Sequence, residues 1–248
     1  MAFADRFAGT RVFTATEMRV QFHEWPAIAT GTMVQAILLV FVAVLAPALL
    51  PLALVGALAY SMFLIGQRVL NEAAYIRIDH KLNELYHASP LTPEAYFLGI
   101  SVGILIAYLP PALLLFVILE LVHPLALATI GVLVLSLLAV WAFSSTLGYV
   151  ISTLFRDMRT IWPYSSLLTN LFGIVPPVFY PLHFVPDLLQ PVVLAMPTSA
   201  AAALVNWAEG IEPLATWQVA LAAGSLALEA VLSLAFGIYW ARKKAREA

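Results

Sequence analysis

Residues 25–67, WPAIATGTMVQAILLVFVAVLAPALLPLALVGALAYSMFLIGQ, run for 43 positions without a charged side chain. As a single helix they would be roughly 65 Å long, about twice the ~30 Å hydrocarbon thickness of a bilayer. The stretch therefore reads as a hairpin of two membrane spans, near 27–47 and 50–70. Pro47 and Pro51 mark the bend, because proline lacks a backbone donor and its ring clashes with the preceding turn.

Outward from this hairpin, the twelve Lys and Arg residues fall in four short patches. These are Arg6, Arg11 and Arg19, then Arg68, Arg77 and Lys81, then Arg156 and Arg159, and finally Arg242, Lys243, Lys244 and Arg246. Cationic loops stay on the cytoplasmic side of a membrane, so consecutive patches are joined by an even number of crossings and both termini are cytoplasmic. Residues 95–119 supply a third span. The uncharged run 121–155 is long enough for two short helices, but two crossings would strand Arg156 and Arg159 outside. Parity makes it one long fourth helix, near 124–155, tilted or projecting into the cytoplasm. A fifth span is expected near 160–180 and the last near 214–241. Between them, prolines at 176, 177, 181, 186, 191 and 197 interrupt any helix every few residues. Segment 184–206 is accordingly expected to enter the membrane and return, as a re-entrant hairpin buried in protein. The fold class is an all-α integral membrane protein with six spans, forming one transmembrane domain over 1–248.

Composition agrees: 62% apolar residues, 10% charged residues and a mean hydropathy of +0.94 are foreign to soluble domains. A multi-pass protein of the cell (plasma or inner) membrane is expected, with lipid and not nucleic acid as its surroundings. The absence of cysteine excludes disulfides, thiolate catalysis and sulfur-bound metals. Asp5, Glu17 and Glu24 among the N-terminal arginines speak against a cleaved signal peptide.

Two non-spanning helices are expected at the cytoplasmic face. In 3–25, Phe3, Phe7, Met18, Phe22 and Trp25 share one face, which predicts an interfacial helix, although Arg11 intrudes on it. In 74–88, Tyr75, Ile78, Leu82 and Leu85 recur at helical spacing while Arg77, His80, Lys81, Glu84 and His87 take other faces. Ser89-Pro90 closes that amphipathic helix.

This helix, followed by Ala88-Ser89-Pro90-Leu91-Thr92-Pro93-Glu94 and then Leu98-Gly99, resembles the permeases of the ATP-binding cassette type 2 exporter family. So does Val175-Pro176-Pro177-Val178-Phe179-Tyr180-Pro181-Leu182 with Val185-Pro186-Asp187 and Met196-Pro197-Thr198, which is similar to that family's outer hairpin. Many members carry Gly-Thr before the glutamate of the cytoplasmic helix, where this chain has Lys81-Leu82 before Asn83-Glu84. The resemblance implies the permease half of an ATP-driven exporter, with a second permease copy, identical or not. It makes 74–88 a coupling helix, with Arg77, Lys81, Glu84, Ser89 and Pro90 as the residues that meet an ATPase subunit. It also makes Pro176, Pro177, Pro181 and Pro186 elements of the outer hairpin. ATP and Mg would be bound by that partner and no cofactor by this chain. Independently, no lysine follows a glycine here, so a Gly-x-x-x-x-Gly-Lys phosphate loop is missing.

Candidate pathway residues are few. Glu229 sits mid-span, 16 uncharged residues after Glu212 and 12 before Arg242. An intramembrane carboxylate is a functional candidate by default, set against a hydrogen-bonded structural role. Asn170 and Thr169, with Ser165 and Ser166, offer a weaker polar path whose competing reading is interhelical hydrogen bonding. Gly99-Ile-Ser101-Val-Gly103 matches the serine-hydrolase pattern, but a helix start is the wrong context. The same glycines suit close helix packing. His80, Glu84 and His87 could face a metal, but no fuller ligand set accompanies them, so no metal and no catalytic residue is expected. The expected function is export of an amphipathic, lipid-like or drug-like substrate, the chain itself being no enzyme. An ion-coupled secondary transporter, or an intramembrane serine hydrolase, is the alternative.

Overall fold

A computed structural model of the chain describes residues 3–23, 25–78 and 92–247. Among these residues every regular element is helical. Helix α1 spans Phe3–His23 and α2 spans Trp25–Leu45. A 3-10 turn at Pro47–Leu49 then leads into α3, Leu50–Ile78. The reversal thus falls where the prolines place it: Ala46 leaves helical geometry, and Pro47 cannot donate to continue the ladder. Next come α4, Pro93–Val122, and α5, Leu127–Ser152. The long uncharged run 121–155 therefore holds one helix, as charge parity requires. Pro47–Ile78, Pro93–Val122, Leu127–Ser152 and Thr216–Arg246 are each long and apolar enough to cross a bilayer, and the chain is a helical multi-pass membrane protein.

Helix α6, Met158–Thr169, continues through a π-helical turn at Asn170–Ile174. Helical geometry ends there, short of the expected residue 180, because Pro176 and Pro177 remove two donors and Val178 N–H turns back to Pro176 O at 2.7 Å. A 3-10 turn at Leu182–Phe184, α7 at Gln190–Leu194 and α8 at Pro197–Ala208 precede α9, Thr216–Glu247. Leu182 N–H donates to Glu212 Oε1 at 2.6 Å, so segment 182–212 begins and ends at one place. Between those points it reaches Ser225, whose hydroxyl donates to Leu194 O at 3.2 Å. Ser225 lies nine residues along α9, roughly 14 Å from its start. Helix α8 is buried from Pro197 to Asn206 among α3, α5 and α9, and its alanines allow that.

Helix α3 is the centre of the molecule. Leu52 to Ala59 are buried without interruption, and a helix apolar all round must be enclosed on every side. Its main partner is α5. A Cβ at Gly66 would fall 1.9 Å from Ser144 Oγ and 2.8 Å from Trp141 O, and one at Gly148 would fall 3.0 Å from Leu70 N. Glycine lets these backbones meet. Outward faces of α2, α4 and α9 keep Phe41, Leu114 and Val231 exposed, as surfaces that face lipid do.

Helix α1 occupies the predicted interfacial stretch; the described face it buries in the bundle carries Phe13, Glu17 and Gln21, while Phe22 of the predicted apolar face is 45% exposed, as a face turned to lipid is. It lies lengthwise on α4, where a Cβ at Gly99 would meet Phe13 Cδ1 at 2.7 Å and one at Gly103 would meet Glu17 Cβ at 2.8 Å. The small-residue pair of α4 provides the groove that decides which face packs. The predicted helix 74–88 starts differently: residues 74–78 are the last turns of α3. Its remainder, with Lys81, Glu84, Ser89 and Pro90, lies outside the described residues.

Candidate functional site

Among the described residues, cations of three basic patches, Arg77, Arg156 with Arg159, and Arg242, meet at one end of the bundle. Arg77, near the C-terminus of α3, donates through Nη2 to the carbonyls of Ser152 and Phe155 at the end of α5. The last carbonyls of a helix have no partner inside it, and their negative dipole end favours a cation. Arg77 thus completes α5, and its guanidinium is turned inward. Just beyond, Asp157 Oδ1 accepts from Arg159 N–H at 3.0 Å and caps α6 between Arg156 and Arg159.

Two contacts bring α9 to the same end. Trp240 Nε1–H donates to Thr153 Oγ1 at 2.9 Å. Arg242 Nε–H donates to Glu94 Oε1, forming an ion pair at the start of α4. Thr92 Oγ1 caps that helix by accepting Ala95 N–H at 3.2 Å. Lys243 and Lys244 stand 5.2 and 5.4 Å from the Trp240 ring. Pro93, Glu94, Arg242, Ala245 and Arg246 line an open groove of about 460 Å³. Arg68 lies deeper, ten residues before the end of α3, with its guanidinium 4.3 Å from the centre of the Tyr108 ring. An aromatic face favours a cation at that depth.

The opposite end is acidic. Glu209 Oε2 accepts Ala126 N–H at 3.1 Å, and its other oxygen stands 3.7 Å from His123 Nε2. Glu212 accepts Leu182 N–H and lies 3.8 Å from His183 Nδ1. Burial pushes the Glu212 carboxyl above its ordinary value, opposed by the Leu182 N–H and by His183.

Between the ends, the predicted polar residues separate into two groups. Thr169 Oγ1–H donates to Gln67 Oε1 at 2.7 Å, and Ser165 Oγ receives Gln67 Nε2–H at 3.1 Å and Asn71 Nδ2–H at 3.4 Å. Thr169 and Ser165 therefore hold α6 against α3, the interhelical reading, and Asn170 is exposed beside them. Gln67 and Asn71 were not singled out from the sequence, although their four-residue spacing near the end of the second span places them on one helix face. Glu229 stands apart on α9, half-buried, with Oε2 enclosed and without a hydrogen-bond partner among the described residues. Pro176, Pro177 and Pro181 are buried and Pro186 is exposed.

Ser101 is 1% exposed and donates its hydroxyl to Phe97 O at 2.8 Å, inside α4. A nucleophile elbow needs a strand-to-helix turn, which this setting does not supply. Among the described residues no group of three or more His, Asp or Glu side chains could hold a metal ion. No protein-family model matches the chain, and no curated protein matches it.

Proposed function

We propose that this chain is the permease subunit of an ATP-driven exporter. The reading is supported above all by one arrangement: the C-terminal ends of α3, α5 and α9 meet the start of α4 in a cationic cluster around the junction of α3 with α4. That is the end at which a separate cytoplasmic ATPase would push. Six crossings by α2, α3, α4, α5, α6 with its π turn, and α9 keep this cluster and both termini on the cytoplasmic side. Segment 182–212, tied at its base by Glu212, then serves as the re-entrant outer hairpin.

In this reading a second permease copy and two ATPase subunits complete the transporter, and ATP with Mg is bound by those partners. Lys81, Glu84, Ser89 and Pro90 are the proposed ATPase contacts. Glu229 is the pathway carboxylate, and a mostly apolar pathway suits amphipathic, lipid-like or drug-like cargo. Purification from the native membrane tests this: an associated ATPase subunit with vanadate-sensitive ATP hydrolysis is expected. Ion-gradient-driven uptake by the chain alone in liposomes would overturn it in favour of a secondary transporter.

A further inference from the structure

The two helices joined by segment 79–91 are each fastened, at the joined end, to a helix distant in sequence. Helix α3 is fastened to α5 by the two bonds from Arg77 to Ser152 O and Phe155 O. Helix α4 is fastened to α9 by Glu94 and Arg242. The two clamped helices, α5 and α9, are themselves bridged by the Trp240–Thr153 bond at 2.9 Å.

We infer that Arg77 and Arg242 are positioning residues that relay a displacement of the α3–α4 junction into α5 and α9, so that four spans move when one cytoplasmic junction is pushed. The proposal rests on the exporter reading, because it needs a partner that does the pushing. Its physical basis is the difference between the clamps. Arg77 makes two charge-assisted bonds to backbone, which are short and directional, at a helix end whose dipole favours the cation. The Glu94–Arg242 pair is half-exposed and adds little to stability. It ties two helix ends together, so its loss leaves a folded bundle in which α9 still packs on α4 at Gly237 and Phe97 but is untied at its end.

The chain contains no cysteine, so single reporters can be introduced cleanly. Nitroxide labels at Leu127→Cys, exposed at the outer start of α5, and at Ala220→Cys, exposed near the outer start of α9, report each helix separately. Label mobility is compared before and after ATP is added to the purified permease with its associated ATPase. In the parent both labels respond. Arg77→Gln lowers the response at Leu127→Cys more than that at Ala220→Cys, whereas Arg242→Gln does the reverse, because the α3–α5 seam and the Trp240–Thr153 bond still carry part of the motion. Exchange of the pair, Glu94→Arg with Arg242→Glu, restores the response at Ala220→Cys. General misfolding would silence both labels and would not be rescued by exchange. Unchanged responses in both glutamine variants, equal losses at the two labels in each, or failure of the exchanged pair, overturn the relay while leaving the exporter reading intact. A parent preparation with no associated ATPase overturns both.

Discussion

The two ends of this bundle are built from opposite chemistry. At the basic end, Arg77, Arg242 and the Trp240 indole reach from one helix to the terminus of another. At the acidic end, Glu209 and Glu212 accept backbone N–H groups from irregular segments at Ala126 and Leu182. Long cationic side chains join rigid rods to one another, whereas short carboxylates pin loops. One end is therefore suited to carry motion between spans and the other to hold a hairpin in place. The charges that distinguish the two ends also give each end its mechanical character.

Both ends depend on the α3–α5 seam, and the largest expected effect comes from opening it. Gly66→Leu places its Cβ where Ser144 Oγ already stands at 1.9 Å, against backbone at Trp141 O and Ser145 N. Helix separation should cost about 3 kcal/mol, the upper part of the usual range for overpacking. Failure to recover monodisperse protein in detergent is expected, while Gly131→Leu, which meets nothing within 4 Å, behaves as the parent. Equal melting of the two variants would remove the seam as the common support.

Next in size is Arg77→Ala, which deprives the end of α5 of its charged donor. Hydrogen bonds to charged groups contribute about 1.5–3 kcal/mol, so a loss of about 2 kcal/mol is expected in thermal melts. Arg77→Lys should recover part of it, because a point charge cannot match the planar fork. Thr169→Val follows, at about 1 kcal/mol for one neutral interhelical bond. A Thr169→Val loss as large as that of Arg77→Ala would erase the proposed contrast between the clamped end and the ordinary helix contacts between the ends.

Much of this architecture is legible in the sequence, and what is legible is what charge and proline control. The hairpin at Pro47 and the single helix Leu127–Ser152 follow from length and parity, without any knowledge of packing. The packing face of α1 does not follow, because periodicity ranks apolar residues. The winning face holds Glu17 and Gln21, bonded to each other at 2.9 Å, over a groove made by glycines almost ninety positions away. Gln67 and Asn71 escaped notice for a related reason. Isolated amides in an apolar helix announce no partner until Ser165 and Thr169 are brought beside them. Glu94 and Arg242 are 148 positions apart, and each alone reads as an ordinary residue at a span boundary.

The smallest expected effect separates the two ends by protons. Glu212 is a carboxyl whose folded value is raised by burial above its ordinary 4.5, with partial compensation from the Leu182 N–H and His183. A raised value means that the folded state favours the protonated form. The associated stability is fully present below the ordinary carboxyl range and is lost as pH rises through the raised value. The Leu182 N–H bond by itself favours the ionised form, so the gain in acid comes from relieving the desolvation of the buried carboxylate. The arginine contacts at the other end stay charged throughout this range. Hydrogen exchange at the Leu182 amide should therefore be best protected at acidic pH, once corrected for intrinsic rates, and lose protection upward. Glu212→Gln, which retains an acceptor and cannot ionise, should flatten that dependence and leave the Arg77 contacts untouched. Protection that instead grows from acid to neutral pH would mean the ionised carboxylate is the form the hairpin base prefers, making the acidic end a charge-dependent clamp like the basic one.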